Sequence, residues 1–171
     1  MTFTPVPNYN NTSPLPIEYT IADPDGLTST ATINVSIKPV NDAPVATDNA
    51  ATTPQDTNVS GNVITDNNGS GVDSDVDGDT LVVSGVTADG VVGTVGTPLV
   101  IAGQGSLTLN ADGSYTFDPL PTFVGAVKPV TYTISDGKGG TDTAVLNITV
   151  EPLTETPSVV DYTATTLEGT P

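Results

Sequence analysis

Residues 129–151 read PVTYTISDGKGGTDTAVLNITVE and carry the clearest structural pattern in the chain. On either side of the turn DGKGG, apolar side chains alternate with Thr, Ser and Asn, as they do in strands that bury one face. The alternating apolar positions are Val130, Tyr132, Ile134, Ala144, Leu146, Ile148 and Val150. The pattern therefore predicts two strands, at 129–135 and 141–151, that are joined by a short turn and face a hydrophobic core.

The composition of the whole chain extends this prediction to an all-β fold. Thr is the commonest residue, 17 Gly and 15 Pro punctuate the sequence, and long helix-forming stretches are absent. Seven strands are predicted in the central part of the chain, at 44–53, 58–65, 80–88, 104–110, 113–118, 129–135 and 141–151. The fourth and fifth form a hairpin that turns at Asp112-Gly113, and residues 89–103 are predicted as an extra loop or short hairpin.

The chain also contains parts of a repeat. Residues 115–152 match residues 1–39 with one extra residue near Leu15. Ala51 returns as Ala164, and this spacing of 113 residues is the size of one sandwich domain rather than of a solenoid unit. We predict three units: residues 1–40 are the C-terminal strands of a preceding β-sandwich repeat, 41–152 form a complete repeat, and 153–171 are the first strand of a following repeat.

The charge of the chain excludes several classes of function. The formal net charge is −17, from 3 Lys+Arg and 20 Asp+Glu, and there is no His and no Cys. So acidic a protein repels phosphate backbones and anionic lipid, and neither nucleic acid nor a membrane surface is an expected partner. Without His and Cys, a zinc site, a Ser-His-Asp triad and a thiol nucleophile are excluded. We expect no enzymatic activity, because the carboxylates alternate too closely on loops to work as a glycoside-hydrolysing pair.

One concentrated chemical signal remains, the acidic run Asp73-Ser74-Asp75-Val76-Asp77-Gly78-Asp79. Alternating carboxylates repel one another unless a cation lies among them, and Ca²⁺ accepts about 6–8 oxygen ligands with flexible geometry. An EF-hand requires Glu at the twelfth position of its loop, where this chain has Ser84, so the run is not an EF-hand. The alternative is a solvated acidic loop that holds no metal.

Strand direction places further polar residues beside this run. If the strands alternate in direction, the loop 66–79, the linker before the first strand and the turn after residue 135 all reach the same pole of the domain. The candidate Ca²⁺ ligands at this pole are Asp73, Asp75, Asp77, Asp79, Asn41, Asp42 and Asp136. Asp56, in a turn at the opposite pole, is a further candidate.

Four segments together resemble bacterial cadherin-like and Ig-like tandem repeats, which build the extender regions of large secreted surface adhesins, including RTX-type adhesins. They are VNDAPVA (40–46), DSDVDGDTL (73–81), LNADGSY (109–115) and YTISDGKGGTDT (132–143). The resemblance covers essentially the whole chain. It implies an Ig-like or cadherin-like Greek-key β-sandwich of about seven strands that binds Ca²⁺, with the ions making the junctions between repeats rigid. It also implies export and display on the bacterial cell surface.

The sequence departs from these relatives in three ways. Many of them carry an acidic pair where this chain has Gln55-Asp56, residues 67–71 look like an insertion, and the RTX nonapeptide itself is absent. The first departure weakens the case for a metal site at the pole of Asp56, and the second leaves the ligand count at the other pole open.

Three hypotheses of function follow. The first is a non-enzymatic structural extender whose fold and junctions are stabilised by Ca²⁺ and whose partners are the neighbouring repeats of the same array. The second is an adhesion module that binds carbohydrate or ice. The third is a subunit that pairs with another copy of itself, head to tail, through residues 1–40 and 153–171, because partial sandwiches and single strands invite pairing between chains.

Overall fold

A computed structural model describes residues 2–68, 70–154, 161–163 and 168–169. Strands and their connections make up these residues, and none of the described segments is helical. The strands are β1 (Leu15–Ala22), β2 (Thr28–Val35), β3 (Asn49–Pro54), β4 (Val59–Asn62), β5 (Val82–Ala88), β6 (Val91–Gly93), β7 (Leu99–Ile101), β8 (Gly105–Leu109), β9 (Ser114–Pro119), β10 (Gly125–Ala126), β11 (Val130–Ser135) and β12 (Thr141–Glu151). The described residues contain no helix that could cross a membrane.

From β3 onward the strands form two sheets of one β-sandwich, which confirms the predicted fold class. The first sheet contains β3, β12, β11, β5 and β6, and β10 lies beside β12. The second sheet has the order β4-β9-β8-β7. Pairing in both sheets is antiparallel with one exception, the parallel pairing of β3 with β12. The first and last strands of the sandwich therefore run side by side in the same direction.

The hydrophobic core lies between these sheets and is built by the faces that the alternation predicts. All seven apolar positions of residues 129–151 are buried, and Tyr132 and Phe117 are completely inaccessible. The other sheet contributes alternate residues of the hairpin β8–β9, namely Leu107, Leu109, Tyr115 and Phe117. This hairpin turns at Asp112-Gly113 as expected, with Gly113 at a φ of 84° that a larger residue rarely adopts.

Two predicted strands are shorter in the structure by three residues or more, and polar contacts explain both differences. The strand predicted at 58–65 ends at Asn62, because Asn62 Oδ1 accepts hydrogen bonds from the backbone N–H groups of Ile64 and Thr65 and bends the chain away. The strand predicted at 44–53 begins only at Asn49. The preceding residues pair instead with the acidic run, where Val45 and Ser74 exchange backbone hydrogen bonds of 2.8 and 3.0 Å.

Residues 89–103 do more than form a loop. Asp89 and Gly90 both have positive φ, 51° and 76°, the conformation of tight hairpin turns, and they reverse the chain from β5 into β6. The chain then crosses to the second sheet and adds β7 to its edge beside β8. The segment therefore extends both sheets by one short strand.

The described part of residues 1–40 contains a single antiparallel hairpin, β1–β2. Cross-strand pairs place seven apolar side chains on one of its faces: Leu15, Ile17, Tyr19, Ile21, Ala31, Ile33 and Val35. This face is open to solvent, with Ile21 62% and Ile33 45% exposed. Most of the unit predicted at 153–171 lies outside the described residues.

Candidate metal centre

The acidic run connects β4 to β5 and divides into two parts. Its first part is extended and pairs with the chain at Val45 through Ser74. Its second part is a turn in which the Gly78 N–H donates to the Asp75 carbonyl oxygen at 3.2 Å, with Gly78 at a φ of 77°. This change from extended backbone to turn determines which carboxylates of the run face one another.

The turn brings three carboxylates into one cluster, which we call the Asp triad: Asp75, Asp77 and Asp79. Each contributes one carboxylate oxygen, and the three oxygens lie within 4.8 Å of one another. Within the described segments of the chain, this is the one group of three or more metal-ligating side chains at such spacing. Three negative charges this close repel strongly, so the arrangement favours a cation among them.

Two oxygens of the Asp triad are buried without a hydrogen-bond partner, Asp75 Oδ2 and Asp79 Oδ2. The other oxygen of each carboxylate is engaged. Asp75 Oδ1 accepts from the N–H groups of Asp77 (2.8 Å) and Asp79 (3.3 Å), and Asp79 Oδ1 pairs with Lys138. Because a buried carboxylate oxygen without a partner is costly, these two atoms are suited to a bound cation.

The linker before β3 is fastened to the Asp triad and to the turn between β11 and β12. The backbone N–H of Asp42 donates to Asp77 Oδ2 at 2.8 Å. Asn41 Nδ2 donates to Asp136 Oδ2 at 2.6 Å. Loop, linker and turn therefore meet at one pole, as alternating strand directions lead one to expect.

Asp136 acts in this structure as a clamp for its own turn. It is buried, and its carboxylate accepts hydrogen bonds from the N–H groups of Lys138 (2.7 Å) and Gly140 (2.9 Å) as well as from Asn41. The hydrogen bond from Asn41 is the main reason that the pKa of Asp136 lies below its usual value. A Cβ at position 140 would collide with this carboxylate and with Ala43, so only Gly allows the approach. Asp136 therefore fixes the linker rather than facing the Asp triad.

Asp73 faces the hydrophobic core instead of the Asp triad. Its Oδ1 accepts hydrogen bonds from Thr47 N (2.7 Å) and Thr47 Oγ1 (3.1 Å), and the Tyr132 hydroxyl lies 3.4 Å from its Oδ2. Burial raises the pKa of Asp73, although the hydrogen bonds from Thr47 oppose the shift. The first Asp of the run thus anchors the segment before β3.

Asp56 lies at the opposite end of the sandwich, at a φ of 57° in the turn between β3 and β4. It lines an open cavity of about 330 Å³ together with Asp118. Among the described residues, Asp56 does not belong to any group of three side chains that could hold a metal ion together.

Sequence reasoning missed one functional neighbour of the Asp triad, Lys138. Its ammonium Nζ lies 2.6 Å from Asp79 Oδ1. The hydrogen bond to Asp79 is the main reason that the pKa of Lys138 is raised, and the charges of Asp79, Asp77 and Asp75 add to the shift. The signal was present in the sequence, since Lys138 is one of only 3 basic residues and occupies the turn expected at this pole.

A cavity of about 290 Å³ separates the N-terminal segment from the Asp triad. It is lined by Asn10, Pro39, Val40, Asn41, Asp77 and Lys138. The candidate centre is thus reached from the junction between residues 1–40 and the sandwich.

Two matches among solved structures share little sequence with this chain. One match is a nucleoside hydrolase-related hypothetical protein from Saccharophagus degradans that is associated with carbohydrate metabolism, at 16% identity and a TM-score of 0.43. Another is an endo-fucoidan hydrolase from glycoside hydrolase family 107, at 18% identity and a TM-score of 0.39. The matches cover 67% and 83% of this chain but only 26% and 19% of those chains. A comparison with curated proteins gives no match.

The comparison with protein families gives a match over the sandwich. The model of the bacterial cadherin-like domain matches residues 41–152, which is more than half of the chain. The matched range begins at the linker residue Asn41 and runs through the end of β12, so it contains the Asp triad, the clamp at Asp136 and both sheets. The chain belongs to the bacterial cadherin-like domain family.

Proposed function

We propose that residues 41–152 form a Ca²⁺-binding structural module without enzymatic activity, which stiffens the junction with the segment before it. The observation that carries the proposal is the pair of buried oxygens without partners, Asp75 Oδ2 and Asp79 Oδ2, in a triad to which the linker is bonded. Membership of the cadherin-like family supports an adhesion-related structural role.

The chemistry of the donors favours calcium over transition metals. The Asp triad offers only carboxylate oxygens, and the chain has no His or Cys to supply the nitrogen and sulfur ligands that zinc and copper prefer. Hard oxygen donors on a short turn suit Ca²⁺, and extracellular modules bind it at about 10⁻⁴–10⁻³ M. Asp75, Asp77 and Asp79 would hold the ion, and its charge would offset the repulsion among them.

Stiffening follows from the hydrogen bonds between the loop and the linker. Asp77 belongs to the Asp triad and also accepts a hydrogen bond from the Asp42 N–H. An ion that holds the Asp77 side chain in place therefore also restricts the linker at Asp42. The clamp between Asn41 and Asp136 holds the linker one residue earlier. Ion binding therefore restricts the angle between the preceding segment and the sandwich.

We further propose that the chain is a piece of a tandem array in a surface adhesin, displayed outside the cell, in which residues 1–40 belong to a preceding repeat and 153–171 begin a following one. The hairpin β1–β2 supports this. Tyr19 and Ile33 correspond in the repeat to Tyr132 and Leu146, which are completely buried in the sandwich. A face that one repeat buries and the other exposes calls for a covering sheet, which makes a neighbouring repeat the expected partner.

The same exposed face supports a second candidate function, assembly between copies of this chain by β-strand complementation. A two-stranded hairpin with an open apolar face gains stability from any sheet that covers it. If no neighbouring repeat is available, a second copy of the chain can cover the apolar face of the hairpin. Sedimentation that shows concentration-dependent dimers, lost in an Ile33→Asp variant, would favour this candidate.

A ligand-binding role for carbohydrate rests on a different observation. Tyr9, which is 43% exposed, lines a cavity of about 350 Å³ together with Asp42 and Asp77. An aromatic ring beside a calcium site is a common arrangement for binding a sugar. A glycan array probed with and without Ca²⁺ tests this role, and a specific hit that requires Ca²⁺ and is lost in Tyr9→Ala would support it.

Calorimetric titration of chelator-stripped protein with Ca²⁺, with thermal melts of both states, tests the leading proposal. We expect saturable binding and a higher melting temperature, because Ca²⁺ at ten times Kd adds about 1.4 kcal/mol of stability, or several degrees. Asp75→Asn and Asp79→Asn should abolish both effects. Glu18→Gln, which removes one negative charge from the exposed strand β1, serves as the matched control. No binding heat and identical melts would reduce the Asp triad to a solvated loop.

A further inference from the structure

We propose that Lys138 is a built-in competitor of the metal ion, whose ammonium group neutralises the Asp triad in the calcium-free protein and must leave when the ion binds. This inference rests on the calcium site proposed above. It adds a residue that sets the calcium concentration at which the site fills.

The position of the ammonium group is the first observation. Lys138 Nζ contacts Asp79 Oδ1 at 2.6 Å, while Asp79 Oδ2 stays buried without a partner. The two side chains differ in freedom, since that of Lys138 is 58% exposed and that of Asp79 only 15%. The carboxylate is therefore fixed in place, and the ammonium is the member of the pair that can move.

The backbone around Lys138 is held independently of its side chain. The Lys138 N–H donates to Asp136 Oδ1 at 2.7 Å, and Asp136 is in turn bonded to Asn41. The ammonium sits on a flexible four-carbon stem beyond this anchored backbone. The side chain can therefore swing away without opening the turn, and the cavity of about 290 Å³ between Lys138, Asp77 and Asn10 gives it room.

Charge explains why the two cations exclude each other. Three carboxylates with one ammonium retain an excess of negative charge that attracts a divalent ion. An ion placed among the same carboxylates lies within a few ångströms of the ammonium and repels it. Each ion bound therefore breaks the contact between Lys138 and Asp79, and the lost contact weakens calcium binding.

The arrangement has a consequence for the calcium-free state. Lys138 bridges the turn after β11 to the loop before β5, so this turn and this loop stay cross-linked when calcium is absent. The same cross-link delays the change to the stiff state until the calcium concentration is high enough to displace it. Lys138 thus lowers the affinity for calcium and, in return, keeps the calcium-free pole ordered.

Calcium titration of Lys138→Met tests this inference. We expect Kd to fall about three- to ten-fold relative to the wild type, because a repelling charge has been removed. Lys128→Met is the matched control, since Lys128 pairs with Asp89 at the β5–β6 turn instead. Lys138→Arg retains the charge and should bind calcium as the wild type does. In chelator, Lys138→Met should have a lower melting temperature than the wild type, because the contact with Asp79 is lost. Calcium should therefore raise the melting temperature of Lys138→Met by more than it raises that of the wild type.

The outcomes separate the two proposals. Equal Kd values for the wild type and Lys138→Met would overturn the competition while leaving the calcium site intact. Weaker binding by Lys138→Met would also overturn it, and would make Lys138 a residue that positions Asp79. Absence of binding in all four proteins would overturn the calcium site itself and the competition with it.

Discussion

Asn41 donates its side-chain amide to the carboxylate of Asp136 at 2.6 Å, which joins the linker to a turn 95 residues later in the chain. Asn41 precedes β3, the first strand of the sandwich, and Asp136 directly follows β11, so the contact closes the sandwich at its N-terminal pole. Because the next residue, Asp42, is bonded to Asp77, the linker is held on both sides.

Removal of this amide in Asn41→Ala should raise the pKa of Asp136 towards its ordinary value of 3.8. The lowered pKa stabilises the fold above that value, and the contribution is lost as the pH falls through the folded-state pKa. We therefore expect the variant to lose less stability than the wild type between about pH 5 and pH 2. NMR titration of the Asp136 carboxyl group and acid melts measure both effects. An Asn58→Ala variant, at an exposed position, should titrate as the wild type does.

The hydroxyl group of Tyr132 lies in a polar network beneath the linker. It donates to the Thr47 carbonyl oxygen at 2.7 Å and accepts from Asn49 Nδ2 at 3.0 Å. Tyr132→Phe removes two hydrogen bonds from this buried network, while Asn49 Nδ2 keeps Val63 O as an acceptor at 2.7 Å. The variant should therefore lose about 0.5–1.5 kcal/mol of stability in denaturant titrations. Calcium affinity should stay unchanged, because the hydroxyl does not reach the Asp triad. A Tyr162→Phe variant, at a position 92% exposed, should be neutral.

Alkaline pH probes the same hydroxyl. Burial raises the pKa of Tyr132 well above its ordinary value of 10.0. The folded state therefore favours the neutral phenol, and its contribution to stability is present below that ordinary value and lost as the pH rises above it. We expect melting temperature to fall above about pH 10, and to fall less steeply in Tyr132→Phe. Equal slopes in both proteins would show that the network does not control ionisation.

Asp73 and Asp75 should respond differently to the same substitution. Asp73 bonds to Thr47 and faces the core, whereas Asp75 carries one of the oxygens without a partner. Asp73→Asn should change the melting temperature of the calcium-free protein and leave calcium binding largely intact. Asp75→Asn should abolish calcium binding with a smaller effect on the calcium-free melt. Loss of calcium binding in both variants would place Asp73 among the ligands after all.

A chimera tests what covers the hairpin β1–β2. A second copy of residues 41–115, fused before Thr2, supplies the missing strands, because Thr2 corresponds to Thr116 in the repeat. We expect amide hydrogen exchange in β1 and β2 to slow by orders of magnitude as Ile21 and Ile33 become buried. The same fusion with Leu107→Asp in the added copy is the control. Unchanged exchange rates would mean that the hairpin is not part of a sandwich repeat.

Much of the fold could be predicted, because the pattern and the packing agree. Alternation identified the buried faces of β8, β9, β11 and β12 residue by residue, since a strand has only two faces. The parallel pairing of β3 was missed. Residues 89–103 were predicted as an extra loop or short hairpin, and that prediction did not foresee that β6 and β7 pair with strands of different sheets. Parallel pairing leaves no local trace in the sequence, and three-residue strands are too short to show a period.

The candidate site was predictable in its location and less so in its members. Alternating strand direction places Asp42 and Asp77 together, and the structure bonds them. The role of Asp73 was hidden, because even spacing makes the four Asp of the run look equivalent. Only the change from extended backbone to turn at Asp75 separates them. The roles of Asp136 and Lys138 depend on side-chain contacts across the turn that no periodicity reveals.

The parallel pairing of β3 and β12 also bears on how the module carries tension. A pull on residues 41 and 152 in opposite directions draws the two strands past each other along their length. All the backbone hydrogen bonds in the six-residue register from Asn49–Leu146 to Pro54–Glu151 are then loaded at once in shear rather than opened one by one. The hydrogen bonds from the Val145 N–H to Asp48 Oδ1 and from the Ala46 N–H to Asp142 Oδ2 extend the loaded region towards the linker. The sandwich is therefore built to resist stretching along the axis that joins its two ends.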